Sequence, residues 1–184
     1  RGSFIRRGRG YLARRPKIDS PVAKVAYFVD SYANWNDHEL GFAVLKTLQH
    51  NDIEVVIPDQ RPAPLPALVY GDLKTARREL AASVGPLAEA VRQGYTVVCS
   101  EPSAALCLRD ELRLLINTED ARLVAANTVE LMSWLADLRR HGSLKALTPR
   151  PSDNEGRWYA YHSPCHLAAI PDDTFTLEEL DYRK

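Results

Sequence analysis

Short apolar runs alternate with longer amphipathic stretches along most of this chain. Mainly apolar runs at 25–29, 53–57 and 95–99 are typical of buried strands, and the aromatic run at 158–161 predicts a fourth. Between these runs, apolar residues recur at helical spacing, as in Leu40, Val44, Leu45 and Leu48. Strands that alternate with helices predict an α/β domain: a mainly parallel open sheet of about four strands with flanking helices.

Local signals predict where several helices begin, bend and end. Asn36, Asp72 and Thr118 are predicted N-caps. The Gly-Pro step at 85–86 interrupts a helically spaced stretch and predicts a kink or two helices. After Thr118, an apolar stripe predicts one further helix, and its members are Val124, Leu131, Leu135 and Leu138.

The overall charge of the chain points to no particular partner. Its 184 residues carry 24 Lys and Arg against 24 Asp and Glu. Residues 1–17 hold six Arg and one Lys without an acid. Such an arm contacts nucleic acid or acidic lipid, or it is a solvated linker, which is the interpretation we favour. No nucleic-acid partner is expected, no apolar run is long enough to span a bilayer, and peripheral membrane association stays open.

Several common motifs are missing from the sequence. The loop at 30–36 contains no glycine, which argues against a dinucleotide-binding phosphate loop after the first strand. No Gly-x-Ser-x-Gly elbow is present, which argues against an ordinary α/β hydrolase. Neither His-Glu-x-x-His nor paired Cys-x-x-Cys occurs, so a conventional zinc site has no support.

The Pro-Cys-His turn at 164–166 is the strongest candidate for chemistry, because it follows the predicted strand at 158–161. Its cysteine, Cys165, is a metal ligand, a nucleophile or a buried thiol, and the residues alone leave these three roles open. Cys99 ends a predicted strand and Cys107 lies between two leucines, so both are predicted core thiols. Three sparse cysteines form no disulfide framework and suit a reducing cytosol.

Polar residues after the first and third predicted strands outline a crevice of the kind in which open α/β sheets bind ligands. The candidates are Ser31, Tyr32, Asn34, Glu101, Ser103 and, from the later turn, His166. Glu101 is well placed for a catalytic acid, although a lone carboxylate is more often a capping or surface group. No catalytic residue is assigned.

The same loop is also acidic. Asp30, Asp37, His38 and Glu39 form a candidate metal site. The competing interpretation is that Asp37 and Glu39 stabilise the N-terminus of the following helix. The sequence favours the helix role.

Four segments stand in the order and spacing of a known family. They are 27–36 (YFVDSYANWN), 65–66 with Gly71, 108–111 (LRDE) and 161–166 (YHSPCH). They resemble the cysteine-rich, CCG-type domain found in the C subunit of anaerobic glycerol-3-phosphate dehydrogenase, the B subunit of heterodisulfide reductase and the iron–sulfur subunit of glycolate oxidase. The resemblance runs from about residue 25 to residue 166. It implies two repeats, each offering cysteines to an iron–sulfur cluster or metal.

The chain departs from that family pattern in its first repeat. The resemblance places the cysteine positions at Ser31, at 62–64 (Pro-Ala-Pro) and at Ala104. Because iron–sulfur clusters need thiolates, we expect that this repeat holds neither a cluster nor another metal. Cys165 matches the first cysteine of the second repeat and is expected to bind a cofactor only together with the rest of that repeat. FAD and iron–sulfur clusters are expected in the full-length protein or complex.

Pattern and resemblance together divide the chain into three parts. They are a basic linker or arm (1–20), a first, degenerate repeat (21–143), and a connection with the start of a truncated second repeat (144–184). The resemblance implies a fragment of a cytoplasmic iron–sulfur and flavin oxidoreductase, like a 2-hydroxy acid or glycerol-3-phosphate dehydrogenase. The fragment itself would be a non-catalytic scaffold that docks to other domains or subunits of a redox complex.

Two alternatives stay open from the sequence. One is an independent α/β domain that binds a small ligand or a protein at the crevice and has no redox role. The other is a thiol enzyme built on Cys165.

Overall fold

The computed structural model of the chain describes residues 2–145, 162 and 164–170. In this part of the chain a parallel sheet of four strands carries helices on both faces. The strands are β1 (Ala23–Phe28), β2 (Ile53–Val56), β3 (Thr96–Cys99) and β4 (Thr128–Glu130). The α-helices are α1 (Phe4–Leu12), α2 (His38–His50), α3 (Leu65–Val69), α4 (Leu73–Arg92), α5 (Pro102–Leu106), α6 (Leu112–Leu115), α7 (Glu119–Ala126), α8 (Leu131–Arg140) and α9 (Cys165–Ala168). Two π-helices cover Tyr32–Asn36 and Cys107–Glu111.

The strand order is β2-β1-β3-β4, and all neighbouring strands are parallel. The chain therefore moves outward from β1 to β2 and then crosses back to the other side of β1. The carboxyl ends of β1 and β3 form the point at which the direction of winding changes. Open α/β sheets leave a crevice at such a point. The predicted fold class, α/β with a mainly parallel sheet, is confirmed.

The sheet separates two apolar cores. On one face β1 and β3 pack with α4, α5, α7 and the second π-helix, where Leu87 and Leu108 are fully buried. On the other face α1, α2 and α8 cover the sheet, and Leu45 and Leu48 of α2 lie in this core. Within the described residues, no helix combines the length and apolar content needed to cross a bilayer.

The fourth strand of the sheet is not the one that the sequence predicted. It is β4, which pairs with β3 through the partners Val97 and Thr128. β4 therefore divides the single helix predicted after Thr118 into α7 and α8. The predicted strand at 158–161 lies outside the described residues.

The helix ends agree with the predictions at two caps and differ at a third. Asp72 and Thr118 accept bonds from the backbone N–H groups of Thr75 and Ala121, as N-caps do. For α2, the cap is Asp37 rather than Asn36, and its Oδ1 accepts from Glu39 and Leu40. The step predicted as a kink or two helices lies within the single 20-residue helix α4.

Residues 4–12, which the sequence analysis placed in a linker or arm, form α1 and pack on the domain. Phe4 is completely buried, and Gly8 is buried one turn later. Arg9 donates from Nε to the Ile57 carbonyl at 2.9 Å and pairs with Asp59 at 2.8 Å. The helix therefore presents a buried face despite its many arginines.

Candidate functional site

Two acidic side chains meet at the point where the winding direction changes. The register pairs Phe28 of β1 with Cys99 of β3, and Asp30 and Glu101 each follow two residues later. Their carboxyl groups are hydrogen-bonded to each other. Asp30 is only 3% exposed, whereas Glu101 is half-buried. We call these two residues the Asp30–Glu101 pair.

Backbone amides from two other loops surround this pair. Ala63, in the loop after β2, donates from its N–H to Asp30 Oδ1 at 2.8 Å. At the start of the first π-helix, Tyr32 donates to Glu101 Oε2 at 3.3 Å and Ala33 to Oε1 at 3.2 Å. The pair therefore contacts the loops after all three of the first strands.

Burial and mutual repulsion disfavour the doubly ionised pair. Burial raises the pKa of Asp30, although the N–H groups of Ala63 and Ser31 oppose the shift. Burial first, and then the charge of Asp30, raise the pKa of Glu101. Two carboxyl groups in contact in a buried site hold one proton between them more readily than two charges.

The neighbouring titratable groups stay neutral. Burial raises the pKa of Tyr27, whose hydroxyl lies 2.8 Å from Ser100 Oγ. Burial also raises the pKa of Cys99 and of Cys107, and the negative charge of Glu111 adds to the shift at Cys107. Both cysteines are fully buried, which places them where the sequence predicted core thiols. Neither thiol is activated as a nucleophile.

The structure brings some of the predicted crevice residues together and separates others. Glu101 binds the Tyr32 amide, as described above, while the Tyr32 ring is 54% exposed. Ser103 Oγ lies 2.9 Å from His166 Nδ1, so the contact joins α5 to α9. Ser31 is exposed. Asn34 is buried instead, and its Oδ1 accepts from the Ile5 amide at 3.1 Å, so its amide group holds α1.

Cys165 is exposed at the start of α9, which packs on α5. α5 begins directly after Glu101, so this cysteine lies on the carboxyl side of the sheet. Residues 158–161, which precede the turn, lie outside the described part of the chain. The role of Cys165 as a ligand stays a prediction.

The acidic loop serves the fold. Asp37 caps α2, and His38 Nε2 contacts the Asn34 carbonyl at 2.9 Å while its Nδ1 lies 2.6 Å from Arg7. In the described part of the chain, no group of three or more His, Cys, Asp or Glu side chains is arranged to hold a metal ion. The bonds that Asp37 accepts from the Glu39 and Leu40 amides confirm its helix-capping role.

The residues at the family's first-repeat cysteine positions do not fit an iron–sulfur cluster. Ser31 offers a hydroxyl, and the buried Ala63 and Ala104 offer no ligand atom at all. Cys99 and Cys107 are buried among apolar residues of the core and remain protonated. Ala63, at one of these positions, donates its N–H to Asp30 of the Asp30–Glu101 pair.

The contact between Asp30 and Glu101, and the role of Gln60, were missed by sequence reasoning. Asp30 was named only as a member of the candidate metal site in the acidic loop, and its position directly after a predicted strand was the signal for its place beside Glu101. Gln60 gave no signal. Its Oε1 accepts from the Val29 amide at 2.8 Å and its Nε2 donates to the Tyr27 carbonyl at 3.0 Å. The pairing of β1 with β2 ends at Ala26 and Val56. Beyond this point the Gln60 side chain supplies the hydrogen-bond partners that a neighbouring strand would provide.

The sequence is similar to the C subunit of anaerobic glycerol-3-phosphate dehydrogenase from Escherichia coli strain K12 and to the protein of the same name from Escherichia coli O157:H7. Each is 26% identical over 182 residues, which are 97% of this chain and 43% of the relative. The chain thus spans less than half the length of these relatives. No protein-family model and no solved structure matches it. The similarity confirms the distant resemblance that the four segments predicted.

Proposed function

We propose that this chain is a module of an iron–sulfur oxidoreductase subunit and serves there as a scaffold that docks to other domains or subunits. The observation that carries the proposal is the similarity to the C subunit of a dehydrogenase over 97% of the chain. The parallel sheet of the structure agrees with the α/β fold that the resemblance implies. By extension, the parent protein oxidises glycerol-3-phosphate or a 2-hydroxy acid and carries FAD and iron–sulfur clusters.

The module has lost the cluster of its first repeat under this proposal. The absence of thiols at Ser31, Ala63 and Ala104 supports the loss. Those positions instead surround two carboxyl groups, which are poor ligands for the soft iron–sulfur unit. The repeat keeps its sheet and helices, because the two apolar cores need no metal to form.

Cys165 has a different role in this proposal. It is exposed, in contrast to the two buried cysteines, and lies on the same side of the sheet as Glu101. We assign it to the second cluster site that the family resemblance implies. The thiol is accessible for such ligation without any rearrangement of the core.

The independent ligand-binding alternative has less support. Asn34 directs its side-chain carbonyl to α1, and Glu101 directs both carboxylate oxygens to Tyr32 and Ala33. These acceptors are engaged within the protein rather than aimed at a ligand in the crevice. A thiol enzyme built on Cys165 would need a general base, and His166 Nδ1 is instead engaged by Ser103.

Anaerobic reconstitution with iron and sulfide tests the loss of the first cluster. We expect the isolated chain to incorporate no stoichiometric cluster, as measured by iron and acid-labile sulfide content. Stoichiometric incorporation would refute the loss.

Binding to the catalytic flavoprotein subunit encoded by the same organism tests the docking role. We expect a stable complex in size-exclusion chromatography with light scattering. In the parent protein that carries the complete second repeat, Cys165→Ser should lower the iron content while the complex persists, whereas Cys99→Ala should leave the iron content unchanged. If the chain and the flavoprotein subunit elute separately at all concentrations, the docking role is wrong.

A further inference from the structure

We propose that Asp30 and Glu101 share one proton and form a pH-dependent tie between the loops that follow β1, β2 and β3. This inference rests on the strand register, the burial of Asp30 and the hydrogen bonds to the backbone. It does not depend on the proposed redox role. It concerns two carboxyl groups close to Ser31 and Ala63, where the family resemblance expects cysteines.

The tie reaches three separate segments. Asp30 ends the β1 segment, and its Oδ1 holds the Ala63 amide of the loop after β2. Glu101 ends the β3 segment and holds the amides of Tyr32 and Ala33 in the first π-helix. The bond between the two carboxyl groups links these two sets of contacts. Without it, β1 and β3 remain paired, but the loops at 31–36 and 58–64 lose their common anchor.

The shared proton follows from where the hydrogen-bond donors lie. Backbone N–H groups donate to Asp30 Oδ1 and to both oxygens of Glu101, and these bonds are compatible with one ionised and one protonated carboxyl group. The direct bond between the two acids, however, requires one of them to donate a proton. In this arrangement Glu101 donates and Asp30 accepts, because the bond between them lowers the pKa of Asp30 and raises the pKa of Glu101.

The surroundings do not compensate a second negative charge. The titratable groups that face the pair are Tyr27 on β1, Cys99 on β3 and Cys107 on the second π-helix, with Glu111 on that π-helix and Glu130 on β4 behind them. All are acids. On α9, the imidazole of His166 contacts Ser103 rather than the pair.

The pair lies among the positions that the family resemblance gives to cysteines. Ser31 follows Asp30 directly, Ala63 donates to it, and Ala104 donates from its N–H to the Glu101 carbonyl at 3.0 Å. A cluster would tie these loops together through thiolates. In this chain a proton between two carboxyl groups makes the corresponding connection.

The sign of the pH effect is fixed by the direction of the pKa shifts. In the folded chain the pKa values of both acids lie above their ordinary values of 3.8 and 4.5. Between the ordinary and the raised values, the unfolded chain therefore binds fewer protons than the folded chain. The contribution of the pair to the free energy of unfolding is fully present at pH values below the ordinary pKa values. It is lost as the pH rises through the raised pKa of the folded chain.

The experiment is a carbon-13 NMR titration of the side-chain carboxyl groups in the full 184-residue chain. We expect Asp30 and Glu101 to titrate together in two macroscopic steps, with the upper step above the ordinary glutamate range. Over that upper step, the hydrogen-exchange protection factors of the Tyr32, Ala33 and Ala63 amides should fall. The total decrease should be about tenfold for each pH unit between the upper step and the ordinary glutamate pKa.

Glu101→Gln is the variant that removes the titratable proton, because its amide nitrogen donates permanently to Asp30 and its single oxygen keeps one of the two bonds from the π-helix. We expect it to abolish the pH-dependent loss of protection, while Glu39→Gln, at an exposed acid of α2, leaves the loss unchanged. Should Glu101→Gln fail to fold, the titration of the unmodified chain still decides the question. The proposal is overturned if both carboxyl groups are fully ionised by about pH 5, or if the upper step occurs without a change in amide protection.

Discussion

The packing of Phe4 against Gly41 offers the most direct test of how α1 is held. The Phe4 ring is 0% exposed and makes edge contacts with Tyr27 and Phe42, at centroid distances of 6.4 and 5.1 Å. A Cβ atom on Gly41 would lie only 2.5 Å from Cζ of Phe4. The glycine therefore provides the space that the ring fills, and substitutions at the two positions must be coupled.

The magnitudes follow from the contacts. Truncating a buried phenylalanine removes its transfer free energy and leaves a cavity, so Phe4→Ala should cost about 3–5 kcal/mol of unfolding free energy. Gly41→Ala should cost about 1–3 kcal/mol, because the enclosed ring has nowhere to move. In the Phe4→Ala background the added methyl enters free space, and the better helix propensity of alanine should make Gly41→Ala stabilising by about 0.5–1 kcal/mol.

A double-mutant cycle measures this coupling. Urea unfolding followed by circular dichroism on the four proteins should give an interaction free energy of at least about 1.5 kcal/mol. Gly85→Ala is the control, because its Cβ would meet no atom within 4 Å in the interior of α4. The reasoning is refuted if Phe4→Ala costs less than about 0.5 kcal/mol, the range of ordinary surface substitutions, or if Gly41→Ala behaves like Gly85→Ala in the unaltered background.

Three further outcomes are expected. Ellman's reagent should modify only Cys165 in the folded chain and all three thiols in denaturant, because Cys99 and Cys107 are buried with raised pKa values. Rapid modification of three thiols under native conditions would contradict the burial of these two cysteines. Asp37→Ala should lower the unfolding free energy by about 1 kcal/mol in urea titrations through loss of the α2 cap, and an unchanged midpoint would show that the cap contributes nothing. Gln60→Ala should cost about 1–3 kcal/mol, because the Val29 amide loses its partner; normal hydrogen-exchange protection of that amide in the variant would count against this role.

Sequence patterns predicted the first three strands because each is a compact, mainly apolar run with buried residues. They missed β4, which has only three residues and lies between two helices that bury the same kind of stripe. The spacing of Val124, Leu131 and Leu135 continues helical periodicity across the strand, so periodicity alone could not detect the break. The extended conformation there is selected by pairing with β3, which is a tertiary contact.

The candidate site was predictable in part. Glu101 was identified because its strand ends there, and the crevice between the first and third strands was expected. The contact with Asp30 was not, because it depends on a strand order that the sequence does not contain. Similarly, the many charges of α1 concealed the spacing of Phe4 and Gly8, which lie one turn apart on its buried face.

The attachment of α9 has a consequence for how the chain exchanges partners. α9 has four residues, and Leu167 together with the following Ile170 is buried against the domain. Two such side chains contribute about 1.5–3 kcal/mol each, which would give a separate peptide an affinity of only about millimolar to tens of micromolar. Its docking is therefore sustained by the high effective concentration that the covalent connection creates. A protein that offers Leu167 and Ile170 a larger apolar groove would compete α9 away from α5 and carry Cys165 with it, while the four-stranded sheet stays intact.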